Sequence, residues 1–398
     1  MRVLIYDGHY HRWPSSISAI MFHIMKERIF LDNAAGRNNP NAIYHEGREA
    51  RARLESARAR IAKVLSVATD EIIFTPWGTE ANILVTASLQ SGLTAEKSHV
   101  ITTQIEHKSM LDALKHFPKV TYLKPDHEGL ISVKQVEQAL RPETKLVSIM
   151  YANNEIGTIQ PIKEIARMLR RKGTRSAEVL GKNPQTVSIT SSHSPQPLFH
   201  SDCVQAPGLL PINMQSLGVD LASFSAAKFG GPDGIGFLFR RRGVELPGVR
   251  DAGAVDLVEQ MAVSLEKASK LTGQQAKKLE TLRDYFIAEV LKNTGALLNG
   301  SHEVRLANNA NFVFPIDSEL LVLELDRYGI AASAGAACSS GECDEGSHVI
   351  LALGKSKKES NQSVRFSLGY DTKKSDLDYV VKILRKVINK HTNLWQKN

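Results

Sequence analysis

A lysine stands in an unusual position in the stretch "SFSAAKFGGPDGIGFLF", which runs from Ser223 to Phe239. Lys228 lies between an apolar run and a glycine-rich turn. Burying an ammonium group without a partner is costly, so a lysine in such a place either points to solvent or reacts with a bound group. Lys228 is therefore the first candidate for covalent chemistry.

Two further stretches carry candidate site residues where a predicted strand ends and a helix begins. "FTPWGTEAN" lets the backbone amides near Gly78 and Thr79 bind an anion at a helix N-terminus, although a simple N-cap explains the same pattern. "IEHKSMLD" places His107 at a similar junction. An imidazole there can stack on an aromatic ligand or move protons, and an ordinary surface histidine is the alternative.

Two more polar clusters follow apolar strands. "YANNEIGTIQP" carries Asn154 with its neighbours Asn153 and Glu155, and "FHSDCVQAPG" carries Asp202 and Gln205. Each cluster could serve only as a cap. An aspartate at a strand end also suits a protonated ring nitrogen, whereas Cys203 beside it is interpreted as a packing residue.

Together these residues match what pyridoxal phosphate requires. Lys228 would form the Schiff base, Asp202 would pair with the pyridinium, His107 would clamp the ring, and the amides at Gly78 would hold the phosphate. Each signal alone is weak. Their order along the chain makes the combination specific, and no metal site is predicted.

The elements that must position these residues alternate between strands and helices. Apolar strands are predicted at "EIIFT", "HVITT", "KVTYL", "KLVSIM", "LFHS" and "DLASFS", with helices between them. This pattern indicates an α/β fold with a mostly parallel sheet covered on both faces, where ligands collect at the carboxyl ends of the strands. A smaller α+β domain follows, with strands at "NFVF" and "VRFSL".

The predicted domains are a large domain from 29 to 254 and, from 255 to 398, a long connecting helix with the small domain. Residues 173–197, rich in Ser, Thr, Pro and Gln, are expected to form a surface insertion. Residues 1–28 are interpreted as an extension whose start is misassigned, because a chain beginning at Met25 would open directly into a first strand.

Composition is that of a large globular protein of 398 residues, with 23% charged residues and a formal charge of +8. The basic residues are spread out except between Arg167 and Lys182, and no nucleic-acid motif accompanies them, so neither nucleic acid nor membrane is an expected partner. The three cysteines, Cys203, Cys338 and Cys343, are too few for a disulfide framework and fit a reducing cytoplasm.

From Ile29 onward the chain resembles the cysteine desulfurases of the NifS/IscS type, which are class V aminotransferase-like enzymes of pyridoxal-phosphate fold type I. The segments that carry the resemblance are "IFLDNAA", "EIIFTPWGTEAN", "EHKSMLD", "TKLVSIMYANNEIGTIQPI", "FHSDCVQAPG", "VDLASFSAAKFGGPDGIGFLF", "SAGAACSSG", "SHVILALG" and "VRFSLG".

The resemblance implies a role for each matching residue. Lys228 would bind the cofactor covalently, Asp202 would pair with its ring nitrogen and His107 would stack on the ring. The cofactor's polar edge and its phosphate would be held by Gln205, Asn154, Gly78, Thr79 and Ser225. Cys338 would be the nucleophile that takes the sulfur, and Arg365, with Asn154, would bind the substrate carboxylate.

The resemblance also implies the reaction, which removes sulfur from L-cysteine to give alanine and a persulfide on Cys338. A homodimer and an acceptor protein, for iron–sulfur clusters or tRNA thiolation, are the expected partners. Selenocysteine lyase and a non-catalytic scaffold protein are the alternatives. Cys343, five residues from Cys338, could resolve a persulfide or be a spectator.

Four features depart from the family pattern. The region after "LDNAA" is short, residues 173–197 are inserted, and a glycine-rich segment that reaches the partner subunit's phosphate is absent. Ala227 stands where a histidine usually helps to hold the phosphate. We expect weaker cofactor binding from the two losses at the phosphate site.

Overall fold

The computed structural model describes residues 29–90, 98–115, 117–180, 196–246, 253–334 and 346–395. The described residues fall into two compact units, which divide between Arg51 and Ala52. In the described part of the first unit, the Tyr44 hydroxyl donates to Asp32 Oδ2 at 2.6 Å, and the Tyr44 ring meets Phe30 edge-on. The strand predicted to open at residue 29 is wrong: Ala35 N donates to Asp32 O in a turn, and this segment pairs with no strand of the described residues.

The described helices and strands alternate through most of the second unit. The helices are α1 His45–Leu65, α2 Gly78–Gln90, α3 Lys108–Leu114, α4 Val133–Ala139, α5 Ile162–Leu180, α6 Met214–Leu217, α7 Val255–Leu271, α8 Gln274–Thr294, α9 Ser318–Asp326, α10 His348–Ala352, α11 Lys357–Asn361 and α12 Lys374–Trp395. The strands are β1 Ile72–Thr75, β2 His99–Thr103, β3 Val120–Leu123, β4 Thr144–Ser148, β5 Leu198–Asp202, β6 Leu221–Ser225, β7 Gly236–Arg240, β8 Leu297–Leu298, β9 Asn309–Val313, β10 Ser333–Ala334 and β11 Ser363–Ser367.

The larger sheet has the order β1-β7-β6-β5-β4-β2-β3. The five strands from β6 to β3 run parallel, and β7 and β1 are antiparallel to their neighbours. Every residue of β2, β4, β5 and β6 is buried, as expected for a sheet covered on both faces. This confirms the predicted fold class, and it brings Ser148, Asp202 and Ser225 to the same edge.

The smaller sheet is antiparallel, in the order β10-β11-β9-β8. Phe286 of α8 packs edge-on against Phe312 of β9 and Phe366 of β11, with ring centroids 5.9 and 5.3 Å apart. These rings belong to a separate buried cluster that also takes in Leu384 of α12. The second α+β layer is therefore present, and the domain boundary at 254/255 stays a prediction.

Two predicted segments differ from the structure. The long helix predicted from Val255 to Leu291 is two helices, because Gly273 between them has φ +106°, a conformation that side chains other than glycine rarely adopt. The predicted surface insertion, residues 173–197, overlaps α5, because this helix continues through the first eight residues of the insertion to Leu180. Within the described ranges, no helix is both long and apolar enough to cross a bilayer.

Candidate active site

A cavity of about 540 Å³ lies at the carboxyl edge of the larger sheet. Apart from Cys338, every residue predicted for the site lines it: Gly78, Thr79, His107, Asn154, Asp202, Gln205, Ser225, Lys228 and Arg365. Cys338 and Cys343 lie outside the described residues. The side chains come from both sheets and from four loops, so the fold alone brings them together.

One end of the cavity is formed by the first turn of α2. The helix begins at Gly78, directly after β1 and its short connection, and a Cβ at this position would meet Val204 Cγ2 at 3.0 Å and Ser225 Cβ at 3.1 Å. Glycine thus lets the helix terminus pack against the ends of β5 and β6. Because the first amides of a helix have no intrahelical acceptor, this turn presents N–H donors to the cavity.

Lys228 lies in a 3₁₀ turn, Ala226–Phe229, that follows β6 without a break. Ala226 N donates to Ile235 O, and Gly230 ends the turn with φ +76°, which a glycine adopts without strain. The turn makes Lys228 exposed and part of the cavity wall. The apolar strand before it therefore places the ammonium group in the cavity without burying it.

Asp202 ends β5 and is 7% exposed. Its Oδ2 accepts from Asn82 Nδ2 at 2.8 Å, and its Oδ1 accepts from Val204 N at 3.0 Å. A carboxylate held by two neutral donors keeps lone pairs for a further proton, such as that of a protonated ring nitrogen.

His107 is the N-cap of α3, and its Nδ1 accepts from Ser109 N at 3.2 Å. His107 is exposed and lines the cavity. A ring capped in this way is fixed in position beside the cavity, where a flat ligand can stack on it.

Arg365 lies on β11, opposite Asn311 of β9 and Ser333 of β10. One guanidinium nitrogen, Nη1, donates to Asn154 O at 3.1 Å, whereas Nε is buried without an acceptor in the described residues. A planar fork with an unused donor that lines a cavity suits a carboxylate ligand.

Two carboxyl groups, the fully buried Glu106 and the half-buried Glu155, lie behind the cavity wall. Burial raises the pKa of Glu106 to about 8, and burial also raises the pKa of Glu155 against the opposing effects of Ser347, His348 and Arg365. Glu155 Oε2 accepts from Ser347 Oγ at 2.5 Å. Both carboxyl groups adjoin cavity residues along the chain, so they support the wall from behind.

Several of these contributors were missed by the sequence reasoning. Asn82 and Ser109 line the cavity, as does Asp233, and Glu106 supports it. Asn82 had a readable signal, since it follows Gly78 by four residues and so lies on the same helical face. Asn153, in contrast, is a structural residue whose Oδ1 caps the turn at the N–H groups of residues 155 and 156.

Cys203 is confirmed as a packing residue. It is fully buried, and burial raises the pKa of its thiol well above the ordinary range. A thiol in this state is a poor nucleophile. Among the described residues, no cluster of three or more His, Cys, Asp or Glu side chains is arranged to hold a metal ion.

Comparison with known proteins identifies the family. A family model for aminotransferase class-V matches residues 24–177, 174–262 and 252–380. The chain belongs to the class V aminotransferase family. This membership agrees with the resemblance inferred from the motifs, and pyridoxal phosphate is the cofactor of this family.

Individual class V relatives cover nearly the whole chain. It is 37% identical to the cysteine desulfurase IscS of Dictyoglomus turgidum, over 92% of this chain and 96% of that protein. Among solved structures, a NifS-like protein superposes with a TM-score of 0.73 at 30% identity, over 88% of this chain and 91% of the other. SspA in complex with cysteine gives 0.66 at 28% identity, over 83% and 90%.

The cavity fits the family's cofactor on its own geometry. The glycine at the start of α2 leaves a cradle that a Cβ would disturb, Asp202 offers an acceptor, and Lys228 offers an amine. Arg365 adds a donor, Nε, that has no acceptor among the described residues. These are the groups that a phosphate, a ring nitrogen, an aldehyde and a substrate carboxylate each require.

Proposed function

We propose that this protein is a pyridoxal-phosphate-dependent cysteine desulfurase that transfers the sulfur of L-cysteine to Cys338. The observation that carries the proposal is one cavity lined by Lys228, Asp202 and Arg365 together. An amine, a ring-nitrogen acceptor and a carboxylate fork at one site match the needs of an enzyme acting on an α-amino acid. The desulfurase relatives and the neighbour whose title names bound cysteine support cysteine as that amino acid.

Each residue has a defined task in the proposed reaction. Pyridoxal phosphate, when bound, supplies the electron sink that acidifies the Cα–H bond of the substrate. Arg365 holds the substrate carboxylate, and Asn154, whose carbonyl accepts from Arg365 Nη1, keeps that guanidinium in place. Lys228 would hold the cofactor covalently, and its amine Nζ would serve as the base that takes the α-proton of the substrate.

The sulfur transfer falls to Cys338. Its thiolate attacks the substrate sulfur, the C–S bond breaks, and a proton is returned to the carbon skeleton, so that L-cysteine and Cys338–SH become L-alanine and Cys338–S–SH. No external oxidant is needed. A thiol reductant or an acceptor protein then removes the outer sulfur.

The cofactor contacts form the second part of the proposal. Asp202 would pair with the ring nitrogen and His107 would stack on the ring. Gln205 would contact the polar edge of the ring, and Ser225 with the first turn of α2 would hold the phosphate. Support comes from the position of all these groups around one cavity. A homodimer, a cytoplasmic location and an iron–sulfur or tRNA-thiolation acceptor remain further parts of this proposal.

The deciding experiment uses the visible spectrum of the protein with added pyridoxal phosphate, together with alanine and sulfide release from L-cysteine. We expect a visible band that is absent in Lys228→Ala. Turnover should disappear in Cys338→Ser while the band remains, and Cys343→Ser serves as the matched control. Turnover that survives in Cys338→Ser would contradict the proposed nucleophile.

Ala227, in place of the usual histidine, favours a second candidate, a homologue that binds sulfur acceptors without turnover. The same experiment separates the two, because a scaffold would show no Lys228-dependent band at saturating cofactor. Selenocysteine offered as an alternative substrate tests the lyase activity. A higher kcat/KM for selenocysteine than for cysteine would replace desulfurase with lyase.

A further inference from the structure

Asn82 and Ser109 form a hydrogen-bond chain between the two cavity residues that face the proposed ring. Asn82 lies in the second turn of α2 and is 1% exposed. Its Nδ2 donates to Asp202 Oδ2 at 2.8 Å and to Ser109 Oγ at 3.0 Å. Ser109 Oγ in turn lies 2.8 Å from His107 Nδ1. The chain thus runs from Asp202 to His107 without a break.

The Asp202 carboxylate determines the direction of the hydrogen bonds that the Asn82 amide makes. An ionised carboxylate only accepts hydrogen bonds, so the Asn82 amide must direct its NH₂ group, and not its oxygen, toward Asp202. That NH₂ group has two hydrogens, and the second is donated to Ser109 Oγ. Ser109 keeps one hydroxyl hydrogen, which is free to donate to His107 Nδ1.

The backbone gives the same direction independently. Ser109 N–H, which can only donate, approaches His107 Nδ1 at 3.2 Å as the cap of α3. Two donors therefore meet at Nδ1, which must accept with its lone pair. In a neutral imidazole, the single ring proton then lies on Nε2.

We propose that Asn82 and Ser109 are positioning residues that hold the His107 imidazole in the tautomer with its proton on Nε2. Nε2 lies on the ring edge opposite the α3 cap and opposite the hydrogen-bond chain. The neutral ring therefore presents an N–H donor, and not a lone pair, at that edge. His107 can deliver a proton there and leaves α-proton removal to Lys228.

The buried Asn82 Oδ1 has no partner in the described residues, and this is a cost of the arrangement. A buried polar atom without a hydrogen bond destabilises the fold, so an apolar side chain at this position would remove that penalty. An amide is needed only if both of its N–H groups are used. An unpartnered Oδ1 is therefore expected if Asn82 positions its neighbours, and it is not expected if Asn82 only fills space.

The test measures the ring tautomer directly. Protein labelled with ¹⁵N at its 13 histidines is examined by NMR at alkaline pH, without and with pyridoxal phosphate, and His107→Gln identifies the His107 signals. We expect an unprotonated Nδ1 and a protonated Nε2. A protonated Nδ1 in the wild-type protein would overturn the proposal.

Substitutions then test the two residues of the chain. Ser109→Ala removes the hydroxyl donor but keeps the backbone N–H at Nδ1, so it should move the His107 signals only part of the way toward a mixture of tautomers. It should lower kcat about fivefold with little change in KM, and Ser109→Thr should restore both. Asn82→Ala should give the same shift. Thr86→Val is the control on α2, since in the part of the chain that the structure describes the Thr86 hydroxyl donates to Ile83 O of its own helix.

Unchanged signals and unchanged turnover in Ser109→Ala would contradict the role of the chain. The kinetic part rests on the proposed function, whereas the tautomer does not. A wild-type protein with the expected tautomer but no release of alanine from cysteine would therefore reject the desulfurase and leave the positioning role supported.

Discussion

Glu106 offers the sharpest test of the electrostatics behind the cavity. Its side chain is fully buried, with Oε1 accepting from Thr103 Oγ1 at 2.8 Å and from Met150 N at 3.0 Å. Oε2 has no partner in the described residues. Both hydrogen bonds favour the carboxylate, but burial outweighs them and raises the pKa of Glu106 to about 8. The group is thus a neutral acid at pH 7.

This pKa has a calculable effect on stability. Between 4.5, the ordinary pKa, and about 8, the unfolded chain has released the Glu106 proton while the folded chain still holds it. The unfolded state then binds fewer protons, so the free energy of unfolding falls as the pH rises through this window and is level outside it. At about 1.4 kcal/mol per pH unit, the loss is about 3 to 5 kcal/mol.

Glu106→Gln removes the titration and keeps an oxygen that can accept from Thr103 and Met150. We expect the substituted and wild-type proteins to have similar stability near pH 5, and the substituted protein to be more stable by about 3 to 5 kcal/mol near pH 8. Urea unfolding of cofactor-free protein at one fixed concentration measures the difference. Glu303→Gln, at an exposed position, is the control.

A difference between Glu106→Gln and wild type that stays constant from about pH 5 to about pH 8 would refute a neutral Glu106. Glu303→Gln controls for other groups that titrate in the same pH window, because these groups affect all three proteins alike. A difference that is constant above about pH 5 and changes only below it would mean that Glu106 is stabilised as a carboxylate.

Three further predictions concern the cavity itself. Arg365→Lys replaces a planar fork with a point charge and should raise the KM for cysteine at least tenfold with a smaller change in kcat; a fall in kcat alone would contradict its binding role. Gly78→Val should raise the Kd of pyridoxal phosphate at least tenfold in an absorbance titration, because its side chain meets Val204 and Ser225; an unchanged Kd would exclude the cradle. Ala227→His should lower that Kd about tenfold in the same titration, because it restores one charge-assisted hydrogen bond. An unchanged Kd would show that Ala227 is not a cause of weak cofactor binding.

The sequence predicted the fold class and a set of residues that line one cavity, because both depend on local patterns. Apolar strands between helices indicate a parallel sheet, and residues at strand ends then share one edge, as Asp202 and Ser225 do. The start of α2 at Gly78 was likewise readable from one strand-to-helix junction. The motifs added Arg365, whose place near that edge depends on the second sheet.

The supporting network could not be read in the same way. The Asn82 amide joins α2, β5 and α3, and its partners are 27 and 120 residues away along the chain. The burial of Glu106 depends on the packing of Met150 after β4, which no local pattern encodes. The break at Gly273 was also missed, because helical periodicity continues on both sides of it and only the positive φ interrupts it.

We expect the departures from the family pattern to lower cofactor occupancy more than the turnover of the cofactor-loaded protein. In the proposed site, the phosphate would rely on the α2 amides and on Ser225, and a lost charge-assisted hydrogen bond of about 1.5 to 3 kcal/mol would weaken binding about 10- to 100-fold. Raising the cofactor concentration offsets such a loss by mass action. In the same proposal, Lys228, Asp202 and Arg365 would act on atoms other than the phosphate, and no cofactor concentration would replace them. If activity is absent at low pyridoxal phosphate and restored at saturation, the defect is the weak phosphate binding expected from Ala227. If activity is absent at every concentration, the defect lies in the contacts to the ring or to the substrate.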